Sequence, residues 1–182
     1  LRARLLAELP ELVRAAGAAA VLVTHDQDDA LAVADRIAVL LDGRVVQLGA
    51  PEACWTRPTT AAVARFLGAG PLLDAEVAAG GARTDLGILP APGAPDGAAL
   101  VLLPSARVRL AGEVDRDGDV VLPARLGGVR FAGDHHAVTL SVAGAELLLR
   151  RTAPPAGPPG TVVDLRIAPE DLVLLPAPPA PQ

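Results

Sequence analysis

From Gly68 onward the aliphatic runs never hold a helical period, because Gly, Pro or Asp interrupts them every few residues. The runs fall at 72–79, 82–89, 98–103, 107–110, 119–131, 136–151 and 161–175. A chain that turns so often cannot build long helices and must pair short strands, which predicts a small barrel or sandwich. Two Phe and one Trp are the only aromatic residues, although 51% of the 182 residues are apolar. The cores are therefore built from Leu, Val and Ala. Residues 90–97 and 154–160 read as turn-rich loops, and the Pro-rich residues 176–182 as a frayed tail.

The first 68 residues have a different texture. Leu1, Leu5, Leu9, Leu12 and Ala16 fall near one helical face, and Gly17 is a natural stop. Pro10 conflicts with that helix, since it removes one hydrogen bond and crowds the preceding turn, so the pattern predicts a kink or two short helices. Residues 20–24 (A-V-L-V-T) read as a strand buried on both faces of a parallel sheet. Residues 26–35 open acidic and continue as a helix, as the helix dipole favours. Asp42-Gly43 between two apolar runs signals a two-residue hairpin, and 50–67 hold two short helices separated by Arg57-Pro58. The expectation is an α/β fragment over 1–68 joined to an all-β, barrel-like domain over 69–182.

Charge and composition exclude some functions. The net charge is −5, and nucleic acid needs a concentrated basic surface, so no nucleic-acid partner is expected. One cysteine, Cys54, leaves no intramolecular disulfide and suits a reducing compartment. No apolar run approaches the ~20 residues that span a bilayer. The sequence opens inside a helical pattern without Met, and reads as part of a longer polypeptide.

His25 follows the apolar run 20–24 directly and precedes a helix. Ligands of open α/β sheets bind outside the carboxyl ends of strands, so a neutral imidazole there can meet a phosphate oxygen or an attacking water. A helix-capping or loop histidine fits the same position. Residues 21–51 also contain V-T-H-D-Q, A-D-R-I, D-G-R and G-A-P in that order. This segment resembles the switch-histidine region of ABC-transporter ATPases. L-R-A-R-L-L-A-E-L before it resembles the helix after their D-loop, and residues 51–68 resemble the end of that domain in importers.

The resemblance implies that His25 contacts the γ-phosphate and positions the hydrolytic water; Asp26 and Gln27 match the motif too, and read as helix-start and interface residues rather than catalysts. It also implies ATP and Mg in a full-length parent, a second ATPase subunit forming a homodimer, permease subunits, and a cytoplasmic site at the inner face of the plasma membrane. The sequence departs from the family as well. It has no G-x-x-x-x-G-K-[ST], no Lys to fill one, and no Q-loop, signature motif or catalytic glutamate. The expected function is the C-terminal part of an ATP-hydrolysing importer subunit that is inactive as an ATPase by itself and binds no cofactor alone.

Residues 99–110 and 165–175 resemble a TOBE-type accessory domain, an OB-like β module. Leu103 and Ser105 stand where that family often has Arg and Glu. F-L-G-A-G-P-L-L-D-A-E-V (66–77) looks most like the ferric-iron importer branch. The alternative is a small-ligand-sensing or regulatory module, for which Arg107, Arg109 and Arg130 are the candidate donors. An oligonucleotide-binding domain is disfavoured because Phe131 is the only aromatic of the second half.

The remaining polar clusters have plainer readings, and no metal site is expected. Asp134-His135-His136 places adjacent histidines on opposite strand faces, which suits a solvated hairpin end better than a metal. Residues 113–119 surround an Asp117-Gly118 turn without the spacing of a calcium loop. Cys54 reads as an inert thiol, and Arg150-Arg151 as a strand end.

Overall fold

The computed structural model describes residues 2–113 and 116–177, and these divide into two compact units after Thr59. Residues 178–182 of the tail, with Leu1, Val114 and Asp115, lie outside the described residues.

The first unit contains α1 (Arg2–Ala15), α2 (Gln27–Val33), β1 (Ile37–Leu41), β2 (Arg44–Gly49) and α3 (Pro51–Thr56). One helix runs through Pro10 where a kink or a break was expected. It ends in a Schellman arrangement at Gly17 (φ +59°), with Gly17 N–H on Arg14 O and Ala18 N–H on Val13 O. β1 and β2 pair antiparallel around Asp42 and Gly43, at φ +49° and +72°, the conformation a tight hairpin demands. The strand expected at 20–24 is absent. These residues carry no strand pairing, and Val21 and Val23 are 92% and 91% exposed. A doubly buried strand needs neighbours on both edges, and the only sheet described in this unit is the β1–β2 hairpin.

The second unit begins with α4 (Ala61–Leu67), followed by β3 (Leu72–Ala78), β4 (Gly81–Thr84), β5 (Gly87–Pro90) and β6 (Gly97–Leu102). It continues through β7 (Arg109–Leu110), β8 (Val120–Phe131), β9 (His136–Val142), β10 (Ala145–Arg151), β11 (Val162–Ile167) and β12 (Val173–Pro176). Hydrogen bonding organises it as two five-stranded antiparallel sheets, β12-β6-β3-β4-β5 and β10-β9-β8-β11-β7.

Period-2 alternation sets what each face buries. Leu122, Ala124 and Leu126 of β8 point inward, while Val121, Pro123 and Arg125 are exposed. Together with Leu140, Leu149 and Ile167 they share one core with Leu73, Val77, Leu89 and Val101 of the other sheet. β6 is buried on both faces, because Leu100 and Leu102 pack with Ala61 and Ala64 of α4 and with Leu175 of β12.

By sequence pattern the first domain ends at residue 68, which includes α4. In the structure α4 falls in the second unit, since its small Ala61–Ala64 face lies on the back of β6. Its end repeats the Schellman pattern, with Gly68 at φ +62° and Ala69 N–H on Ala64 O. Two adjacent residues flank the boundary. Thr59 donates its N–H to Gln47 Oε1 at 2.8 Å in the first unit, and Thr60 caps α4 by accepting from Val63 N–H at 3.3 Å.

Candidate functional site

His25 sits one residue ahead of a helix N-cap. Asp26 is extended (φ −88°, ψ 109°), and its Oδ1 accepts from Asp29 N–H at 3.3 Å, which fixes the start of α2 at Gln27. Thr24 Oγ1 accepts from Asp26 N–H at 2.9 Å and orients the turn that carries His25. The imidazole is exposed, and His25, Asp26, Gln27 and Asp28 line a shallow depression open to solvent. Asp26 and Gln27 thus stand at the helix start, as expected.

The depression is lined by two carboxylates and no cation. A nucleoside triphosphate with Mg needs backbone N–H donors and a cation around its phosphates, so these residues alone do not fit the group. His25 and Gln27 are the lining residues able to donate a hydrogen to a phosphate oxygen without adding negative charge.

Two of the candidate arginines of the second unit meet different carboxylates. Arg109 Nη2 meets Asp119 Oδ2 at 2.5 Å, with the two side chains 17% and 2% exposed. That hydrogen bond holds the Asp119 carboxyl below the ordinary carboxylate range, against the opposing effect of burial. Arg107 lies 3.9 Å from Asp171, and Arg130 is exposed in register with Ala137.

His135 Nδ1 pairs with Asp134 Oδ1 at 2.6 Å, and the bond pulls the Asp134 carboxyl downward. His136 is more enclosed than a solvated turn requires. Its ring lies 5.3 Å from that of Phe131, and its Nδ1 is buried with no hydrogen-bond partner. Cys54 is fully buried, and burial pushes its thiol up. Arg151 exceeds the strand-end role assigned to it. Its Nη2 donates to Val108 O at 2.6 Å, 43 residues away, and its Nε lies 2.9 Å from Glu113 Oε1. Nothing in the local pattern L-L-L-R-R signals that reach.

A family model for the TOBE domain matches residues 105–175, from the turn before β7 to β12. Over 177 residues the chain is 40% identical to "Fe(3+) ions import ATP-binding protein FbpC" of Streptomyces coelicolor, covering 96% of this chain and 49% of that one. The chain is similar over nearly its whole length to part of an ABC-importer ATP-binding subunit. The same-named protein of Streptomyces avermitilis is 41% identical over 141 residues, covering 77% and 39% of the two chains. A second branch is close too: "sn-glycerol-3-phosphate import ATP-binding protein UgpC" of Rhizobium meliloti is 33% identical over 155 residues, covering 84% and 43%.

The chain spans about half the length of these importer subunits. A solved structure of the cytoplasmic molybdate-binding protein ModG covers 59% of this chain and 96% of its own at 12% identity and TM-score 0.44, too loose a likeness to bear on fold or ligand. Among the described residues, no helix of this importer-subunit relative is long and apolar enough to cross a membrane.

Proposed function

We propose that this chain is the C-terminal part of the ATP-hydrolysing subunit of an importer of ferric iron. The single observation that carries the reading is the 40% identity to an Fe(3+) import ATP-binding protein across 96% of the chain. In that reading the first unit is the end of an α/β nucleotide-binding domain. The exposure of Val21 and Val23 supports it, because so apolar a segment is stable when further strands flank it. The second unit is an accessory domain with OB-like character, and residues 1–68 with 69–182 remain the functional division, α4 serving both as its link and as part of the β unit's cover.

Within the longer protein His25 is the residue of this chain that meets the γ-phosphate and the attacking water. ATP and Mg are then held chiefly by a phosphate-binding loop that this sequence does not contain. The partners in this reading are a second copy of the ATPase subunit and the permease subunits, at the cytoplasmic face of the membrane. The polypeptide of residues 1–182 should neither bind nor hydrolyse ATP.

Two measurements test this. Calorimetry of residues 1–182 with Mg-ATP should show no binding heat, and a micromolar affinity that depends on His25 would overturn the inactive-fragment reading. Deleting the gene of the longer protein should reduce cellular uptake of radiolabelled ferric iron and leave uptake of labelled sn-glycerol-3-phosphate unchanged. The reverse pattern would assign the protein to the glycerol-phosphate branch.

A further inference from the structure

In the sheet β10-β9-β8-β11-β7, strands β10 and β7 are the two opposite edges, yet side chains join them. Arg151, the last residue of β10, donates from Nη2 to the carbonyl of Val108, the residue before β7, at 2.6 Å. Its Nε lies 2.9 Å from Glu113 Oε1, and Glu113 Oε2 accepts from Leu110 N–H of β7 at 2.9 Å. The edges of the sheet therefore meet at one corner and curl it toward a closed barrel. Among the described residues no backbone ladder joins β10 to β7, so beyond apolar packing the polar link across the seam is this one arginine with Val108 O and Glu113.

We propose that this Arg151–Glu113 clasp is a local gate, at which the barrel opens along the β7/β10 seam while β8 and β9 stay packed. Three observations favour opening there before anywhere else. β7 is two residues long and holds the sheet through Leu110–Leu165 and Arg109–Arg166, so its detachment costs little pairing. The clasp is within reach of water, with the Glu113 side chain 38% exposed, so solvent competes for it.

The third observation is a standing cost of closure. His136 lies directly opposite Arg151 in the β9–β10 register, and its buried Nδ1 has no hydrogen-bond partner, nor does the Arg151 Nε that faces Glu113 as an ion pair. An unsatisfied buried polar atom disfavours the state that buries it. Opening hydrates the imidazole nitrogen and exposes two strand edges beside the Phe131–His136 ring pair. By contrast, Leu122 of β8 and Leu140 of β9, in the middle of the sheet, are at most 2% exposed. The seam is thus the low-stability end of an otherwise well-packed unit.

The Leu110 amide reports on the gate, because its acceptor is Glu113 rather than a neighbouring strand. Native-state hydrogen exchange should be followed for the whole chain and for Arg151→Met and Glu113→Gln. Leu110 exchange should accelerate about tenfold or more in both variants, with Leu140 changing less than about twofold. Glu113→Gln keeps an acceptor for Leu110 and removes the charge, so its effect isolates the ion pair. Raising NaCl from about 0.05 to 0.5 M should accelerate Leu110 exchange in the wild type and not in Arg151→Met. Equal acceleration at Leu110 and Leu140 would make the clasp a contributor to global stability only. Unchanged Leu110 exchange in Glu113→Gln, or salt sensitivity surviving in Arg151→Met, would also overturn the gate.

Discussion

A Cβ placed on Gly70 would lie 2.0 Å from the carbonyl oxygen of Leu103 and 3.1 Å from the N of Ser105. The turn leaving α4 and the turn leaving β6 therefore touch backbone to backbone. Leu103 N–H on Pro71 O (3.0 Å) and Ser105 N–H on Ala69 O (2.8 Å) lock the two segments on either side of the contact. Because the obstacle is backbone within a hydrogen-bonded corner, it cannot swing away as a side-chain tip would. Gly70→Ala should destabilise the second unit by ~2–4 kcal/mol, as overpacking and conformational strain act together. Gly128→Ala is the control, since a Cβ there meets nothing within 4 Å and needs no positive φ. Urea midpoints at constant m decide between them, and equal midpoints for the two variants would contradict this packing.

Much of the second unit was legible because its signals are local. Alternation along β8 to β11 and the glycines that close their turns are written within a few residues of where they act. What was not legible depends on distant partners. α4 has the look of a terminal helix of the first domain, and only the apposition of Ala61 and Ala64 to Leu100 and Leu102 assigns it to the second. Residues 20–24 are apolar enough for a central strand, but an apolar run specifies burial without supplying the neighbours that bury it. Near the candidate site, the Asp26 cap could be read from sequence, since capping is local. The reach of Arg151 to Val108 could not.

The division after Thr59 leads to a second prediction. Residues 60–182 should fold without residues 1–59, because both apolar clusters of the β unit draw their buried residues from within that span. A polypeptide of residues 69–182 should fold less stably, since losing α4 uncovers Leu100, Leu102 and Leu175. Exposing these side chains costs about 2–4 kcal/mol at ~25 cal/mol per Å2 of apolar surface. Limited proteolysis of the whole chain should cut before residue 60 first. Survival of the N-terminal piece, or equal stability of the two truncated forms, would refute it.

Asp119 provides a pH test with a fixed sign. Its carboxyl is lowered in the folded protein, chiefly by the Arg109 hydrogen bond. A carboxylate with a depressed folded pKa stabilises at pH above its unfolded value, and that contribution disappears as pH falls through the folded value. The stability gap between wild type and Asp119→Asn should therefore be constant from about pH 5 to 7 and shrink below about pH 4. Denaturant titrations across that range give the curve. A gap that widens on acidification would mean that the pair does not act as an ionised carboxylate with Arg109.

The last prediction concerns His25, and it requires the longer protein that supplies a phosphate-binding loop. His25→Ala there should abolish or severely reduce ATP turnover while leaving nucleotide affinity nearly intact. Affinity in such a site comes mainly from loop amides, a lysine and Mg, none of which the substitution touches. The structure makes the substitution a clean one. His25 is exposed, and the adjacent cap is built from Asp26 Oδ1 and Thr24 Oγ1, so truncating the imidazole leaves the start of α2 in place. Removing one group that stabilises the transition state costs ~3–4 kcal/mol, on the order of 10²–10³-fold in kcat. Asp134→Ala and His135→Ala are the controls, because their bond to one another at the start of β9 involves no residue of the His25 depression. Measuring kcat and ATP affinity for the three variants separates the cases. Normal turnover in His25→Ala, or an equal loss in the controls, would remove the assignment, whereas a loss of affinity together with kcat would make His25 a binding residue instead.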